Sequence, residues 1–213
     1  MLLDLGCGGG RGTVYFALRG SYSLGVDVNR ETLEKAKQLK EKCHALCDFV
    51  LADGRNLCFR DQSFENTFSF ASMLSEKHRL WMERPDRKAI LSEATRVTNV
   101  GGLVVFNFVH RYWSLRGLLG FLKHYWMWAR EKMAQQRTEL GDYVERIESS
   151  PVSFHAFTVR EGRSLYPRNI VQLTVWKRNT GPFTDWFFII GKKPVNDSPN
   201  KEGCADARSS AFF

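Results

Sequence analysis

The sequence predicts an α/β protein built on a doubly wound, seven-stranded sheet, mostly parallel with an antiparallel last strand, and a helical lid inserted after the fifth strand. Three observations carry that expectation. Short apolar runs alternate with helical periodicity from residue 2 to residue 109, the pattern of a parallel sheet with helices on its faces. A glycine cluster directly follows the first run, where such sheets hold ligands. Two later apolar runs are joined by Asn179-Thr180-Gly181-Pro182, a turn short enough to force an antiparallel pair.

The elements follow in order. Leu2 to Leu5 reads as a buried strand, and Arg11 to Arg19 as a helix that Gly20 stops. Tyr22 to Val28 is a second strand. Asn29 caps the next helix, which carries Leu33, Ala36 and Leu39 at helical spacing through Lys42 and can pair Glu31 with Lys35. Cys47 to Ala52 is a third strand and Phe64 to Ala71 a fourth. A helix starting at Asp86, just after Pro85, shows Ile90, Ala94 and Val97 on one face and ends at Asn99-Val100-Gly101-Gly102. Leu103 to Val109 is the fifth strand. Arg111 to Ile147 then reads as a long helical segment with no strand. Ser153 to Phe157 is extended, Thr158 to Leu165 is a short helix, and Asn169 to Lys177 and Thr184 to Gly191 are the closing strands. Residues 1–193 thus make one domain, with 110–150 as its insertion. Residues 194–213 are polar and aperiodic and are expected to be disordered.

Composition narrows the function classes. At 213 residues and 43% hydrophobic, the chain fits one sizeable core. No apolar run reaches the roughly 18 residues of a membrane-spanning helix. Met1 to Gly10, with Asp4 and four glycines, does not read as a signal peptide, so a cytoplasmic protein is expected. Cys7, Cys43, Cys47, Cys58 and Cys204 are odd in number and repeat no zinc spacing, so reduced thiols and no metal are expected. The net charge of +8 is compatible with an anionic partner and does not demand one.

The chemistry concentrates at three strand ends. Asp4-Leu5-Gly6-Cys7-Gly8-Gly9-Gly10 follows the first strand, and glycines there let the backbone approach a ligand closely. The spacing departs from the dinucleotide fingerprint: counting from Gly6 and Gly8, the third glycine position is Arg11. Asp27 ends the second strand, where a carboxylate can accept hydrogen bonds from both ribose hydroxyls of a nucleoside. Asp53 ends the third, where it is equally readable as a solvated turn or as an acceptor for an adenine amino group.

Together these residues resemble the class I S-adenosylmethionine-dependent methyltransferases, in the small-molecule "type 11"-like branch with its D-L-G-C-G-x-G first motif. The resemblance runs from about Met1 to Gly191. Val97 to Leu103 looks like the family's approach to its fifth strand, and Phe154 to Glu161 like the segment leading to its last helix. It implies a Rossmann-like fold, S-adenosylmethionine as cofactor and S-adenosylhomocysteine as product. By the same resemblance, Asp4, Gly6, Cys7, Gly8 and Gly10 surround the methionine part of the cofactor. Asp27 holds the ribose, Val28 packs on adenine, Asp53 with Gly54 meets the adenine amino group, and Phe70 and Ala71 lie near the methionine end. The sequence departs from the family where Ala71 replaces a common asparagine and Ser75-Glu76 a common histidine pair, so no catalytic histidine is carried over.

The activity implied is methyl transfer to an acceptor the sequence does not identify, with a small molecule expected. Because the methyl group is already electrophilic, positioning supplies much of the acceleration, and a base is needed only if the acceptor must lose a proton. His110 is the candidate acid/base, and Ser72, Glu76, Arg111 and Tyr112 are candidate substrate contacts. The stretch 110–137 interleaves Arg111, Arg116, Lys123, Arg130, Lys132 and Arg137 with aromatics and reads first as a lid. Its alternative reading is a nucleic-acid surface, which would make the protein an RNA or tRNA methyltransferase. A third reading is an S-adenosylmethionine-binding protein without catalysis. A membrane surface is not expected, and the sequence does not indicate an oligomeric state.

Overall fold

A computed structural model of the chain describes residues 1–70, 73–75, 83–111, 122, 125–126, 142–147, 150–177 and 186–195. Nine strands and four helices of seven to fourteen residues lie within these ranges, in the order β1 (Leu2–Leu5), α1 (Arg11–Ala17), β2 (Ser23–Asp27), α2 (Arg30–Cys43), β3 (Cys47–Leu51), β4 (Asn66–Ser69), α3 (Arg84–Val97), β5 (Leu103–Val109), β6 (Asp142–Ile147), β7 (Ser150–His155), α4 (Val159–Leu165), β8 (Val171–Lys177) and β9 (Trp186–Lys192). Seven strands form one sheet in the order β3-β2-β1-β4-β5-β9-β8, and β6 and β7 form a separate pair. β1 to β5 are mutually parallel, whereas β9 runs antiparallel to both β5 and β8. This is the expected architecture, with strand bounds moved by one or two residues.

Strand alternation sorts side chains to the two faces. Leu3 and Leu5 of β1 join Val104, Phe106 and Phe108 of β5, Phe187 and Ile189 of β9, and Ile90, Leu91, Ala94 and Val97 of α3 in the main core. Asp4, between the two leucines, points the other way and meets Thr13 of α1. On that face Val14, Ala45 and Cys47 form a smaller core with Leu39 and Phe49. Both faces of the parallel half are therefore covered, which explains why its strands read as continuous apolar runs.

Local chemistry fixes the helix ends. The Asn29 side chain accepts from the backbone of Glu31 (2.9 Å) and Thr32 (3.4 Å), as a capping asparagine should. The ion pair on α2 is Lys37–Glu34 (3.0 Å), not the expected Glu31–Lys35. α3 begins at Arg84 rather than Asp86. Glu83 lies before its first turn and its N–H donates to Asp86 (3.0 Å), while Pro85 sits inside that turn, where its missing N–H costs nothing. At the other end of α3, Lys193 Nζ donates to the carbonyls of Thr98 (2.8 Å) and Thr95 (3.0 Å).

One expectation is overturned. The segment through Ile147 was expected to be helical and strandless, yet Asp142–Ile147 is a strand paired antiparallel with Ser150–His155. Tyr143, Val144 and Ile147 favour a strand, and the partner strand follows after two residues, so pairing outweighs the helical preference of Glu145 and Arg146. Leu122, Tyr125 and Trp126 are helical and exposed. The rest of the lid expected over 112–141, the turn at 179–182 and the tail from 196 lie outside the described residues.

Candidate functional site

In a sheet ordered β3-β2-β1-β4-β5, the strand order reverses between β1 and β4, and a crevice opens there at the carboxyl ends. The loop from Gly6 to Gly10 rises from β1 into this crevice. Gly6, Gly8 and Gly10 all have positive φ (72°, 50° and 76°). At Gly10 a side chain is also barred by contact, since a Cβ would stand 2.8 Å from Ala36 and from the Phe49 ring. Gly8 is the opposite case, with open space where its Cβ would be. The loop's inner side is thus clamped to the protein and its crest is bare. Gly6 and Cys7 both donate to the Val26 carbonyl (2.8 and 3.0 Å), and Gly10 donates to the Cys7 carbonyl (2.9 Å). What the loop offers a ligand is close approach more than a row of donors.

Asp27, at the end of β2, is tied to that crest. Its Oδ2 accepts from the Gly8 N–H (2.8 Å) and its Oδ1 from the Asn29 N–H (2.9 Å). Each oxygen has a second lone pair, so the carboxylate can still receive two hydroxyl donors. Val28 beside it is 39% exposed, an apolar side chain presented at the strand end. Asp4 lies beneath the loop, 3% exposed, and accepts from Thr13 Oγ1 (2.7 Å). Burial raises its carboxyl to about 6 against the opposing effect of Thr13. Cys7 is buried with its sulfur near β2, and burial together with Asp4 and Asp27 pushes its thiol up. It is a packed spacer in the loop, not an offered nucleophile.

The third strand end differs from expectation in its surroundings. Both Asp53 oxygens are occupied by Arg55: Nε at 3.0 Å to each, one terminal nitrogen at 2.6 Å, and the Arg55 backbone N–H at 2.9 Å. This fork holds the Asp53 carboxyl below its ordinary value. Arg55 reaches on to Asp86 at the start of α3 (3.2 Å). Gly54 is buried under Leu5 and Ile90. The Arg55 fork was missed in the sequence, although a partner two residues from Asp53 across a tight turn was its signal.

Phe70, just past β4, stacks on Phe68 (4.8 Å between centroids) and stays 41% exposed. His110 bridges to Phe157 in a parallel pair, and its ring stands edge-on to Phe187 (5.5 Å). Arg111 is turned inward, with its guanidinium on Glu161 (2.8 Å) and on the Ala156 carbonyl (3.2 Å). Burial alone would raise Glu161, but the Thr158 N–H and Arg111 hold it lowered. Ala71, Ser72, Glu76 and Tyr112 lie outside the described residues. The structure therefore brings Asp4, Gly6, Gly8, Gly10, Asp27 and Val28 together at one crevice, and sets Arg111 in a structural ion pair.

This crevice fits a nucleoside-bearing amino acid sulfonium. The bare crest at Gly8, the Asp27 acceptors and the exposed Val28 and Phe70 provide room, hydroxyl acceptors and apolar walls. The Asp53 carboxylate fits less simply, because Arg55 already occupies both oxygens.

Known proteins point the same way. The "Methyltransferase domain" family matches residues 3–106. A malonyl-[acyl-carrier protein] O-methyltransferase of Hamiltonella defensa is 33% identical over 106 residues, which are 50% of this chain and 36% of that protein. The chain thus spans about a third of the length of that curated relative. A solved S-adenosylmethionine-dependent methyltransferase from Methanosarcina mazei superposes with a TM-score of 0.71 at 22% identity, covering 91% of this chain and 92% of its own. Magnesium protoporphyrin IX methyltransferase from Synechocystis, solved with bound S-adenosylhomocysteine, superposes with a TM-score of 0.61 at 12% identity, covering 91% and 73%. At these identities the two superpositions show a shared fold.

Proposed function

We propose that the chain is a class I, S-adenosylmethionine-dependent methyltransferase, as the match of residues 3–106 to the methyltransferase-domain family supports, and that it transfers a methyl group to a small-molecule acceptor. The observation that carries this reading is the Asp27 carboxylate held by the Gly8 N–H (2.8 Å) at the bare crest of the glycine loop. It supplies ribose acceptors at the end of β2, beside the point between β1 and β4 where the strand order reverses.

When bound, S-adenosylmethionine supplies a methyl group on a positively charged sulfur. Asp27 would bind the ribose hydroxyls, and Asp4 and the loop would shape the methionine end. Val28 and Phe70 would exclude water from the two sides, strengthening these polar contacts. The chain's task is then to align an acceptor and keep the site dry. The acceptor in the name of the Hamiltonella relative, a malonyl group on a carrier protein, belongs in any acceptor screen. No helix among the described residues is long and apolar enough to cross a membrane.

Thermal unfolding with S-adenosylmethionine, S-adenosylhomocysteine and NAD tests the reading. A ligand at about 100 times its Kd should add roughly 2.7 kcal/mol, a rise of a few degrees in Tm. The two sulfur compounds should give that rise and NAD should not. A rise with NAD alone, or with none of the three, would sink the proposal.

A further inference from the structure

Asp53 follows β3 beside the strand end that carries Asp27, because the Ala52 N–H donates to the Asp27 carbonyl (3.1 Å). The chain then passes β1, where a Cβ on Gly54 would stand 3.5 Å from Leu5. Asp53 is thus at the same end of the sheet as Asp27 and the exposed Val28. A carboxylate offers about four lone-pair sites. Arg55 takes that many: its backbone N–H (2.9 Å) and Nε (3.0 Å) reach Oδ1, and Nε (3.0 Å) and a terminal nitrogen (2.6 Å) reach Oδ2. A purine amino group can only donate, so it finds no vacant site on Asp53 while the guanidinium is in place.

The guanidinium is free to leave. The Arg55 and Asp53 side chains are 36% and 38% exposed, and an ion pair in solvent is held weakly. A second carboxylate stands within reach. Asp86 Oδ1 lies 3.2 Å from the other terminal nitrogen of Arg55, and Asp86 Oδ2 accepts the Glu83 N–H (3.0 Å). Asp86 belongs to the first turn of α3, which Ile90, Leu91 and Ala94 anchor in the main core. Arg55 can therefore keep one carboxylate as it releases the other. The Arg55 backbone N–H would stay on Oδ1 and keep Asp53 aimed.

We propose that Arg55 sets the affinity and base selectivity of the cofactor site by competing with adenine for Asp53: the 6-amino group takes the carboxylate only as the guanidinium gives it up and turns to Asp86. This rests on the methyl-transfer reading above. Without ligand, Arg55 fills Asp53. In the complex the amino group donates to a vacated oxygen. A charged donor is exchanged for a neutral one, so cofactor and product bind less tightly than a free Asp53 would allow. A 6-oxo purine presents an acceptor at that place, which the guanidinium can satisfy without moving. The competition therefore also narrows the preference for a 6-amino purine.

The test is calorimetric titration of the full chain with S-adenosylhomocysteine and with S-inosylhomocysteine, its 6-oxo counterpart. Arg55→Met should bind S-adenosylhomocysteine about threefold or more tightly than the parent, with a wider preference for the amino compound. Asp86→Asn keeps an acceptor for the Glu83 N–H but weakens the second seat of Arg55. It should bind S-adenosylhomocysteine about twofold or more weakly. A residue that merely braced the loop would weaken binding in both variants. Asp53→Asn places a donor beside the base and should erase the preference for the amino compound. An Arg55→Met chain that binds S-adenosylhomocysteine no more tightly than the parent overturns the competition. An Asp86→Asn chain with the parent's affinity overturns the second seat, and an unchanged preference in Asp53→Asn overturns the contact with the base. A parent chain that binds neither compound overturns the methyl-transfer reading instead.

Discussion

Asp4 shows how a single buried carboxylate trades stability for a site. Its carboxyl is raised to about 6 chiefly by burial, whereas an unfolded aspartate titrates near 3.8. The folded chain therefore keeps a proton that the unfolded chain releases between those values. The stabilisation from this protonation is complete below about pH 4 and is lost as pH rises through 6. At pH 8 the buried charge costs the fold about 3 kcal/mol. Asp4→Asn retains an acceptor for Thr13, so urea unfolding should show the variant about 2 kcal/mol more stable than the parent at pH 8 and nearly equal at pH 4. Asp27→Ala is expected to leave the fold near its parent stability and to abolish the Tm rise with S-adenosylhomocysteine, read by the same melting assay. Asp27 was legible in the sequence because a strand end following a glycine loop fixes its place. Asp53 was legible in position but not in environment, since nothing in its spacing says whether Arg55 folds back onto it or points to solvent.

At the scale of elements, the helix ends carry the most testable energetics. Lys193 extends from the end of β9 to the last carbonyls of α3, joining the sheet to that helix through a charge at its negative end. Lys193→Met keeps the apolar stem and removes these bonds, and should cost about 1–2 kcal/mol in denaturant unfolding. Thr158 accepts from the Glu161 N–H (3.2 Å) while Glu161 Oε2 accepts from the Thr158 N–H (2.7 Å), a reciprocal cap on α4. Thr158→Ala should cost about 1 kcal/mol. Elements with one strong period, such as α2 and β5, were readable from the chain alone. β6 was not, because Glu145 and Arg146 favour a helix and the strand exists through its partner, which a local window does not contain.

At the scale of the molecule, the order of strands was readable because crossovers in a parallel sheet leave few arrangements open. The donor side of the site, from β1 to β4, was legible for the same reason. The cluster of Ser75, Asp142 and His155 was not, because its members come from three separated stretches that only the fold assembles. β9 occupies an interior place in the sheet, between β5 and β8. During synthesis at ~5–20 residues per second, β5 leaves the ribosome about 4–16 s before β9 follows it, and for that time it is a bare apolar edge. A nascent chain stalled between residues 110 and 185 should accordingly be captured by holding chaperones, and one released past residue 195 should not.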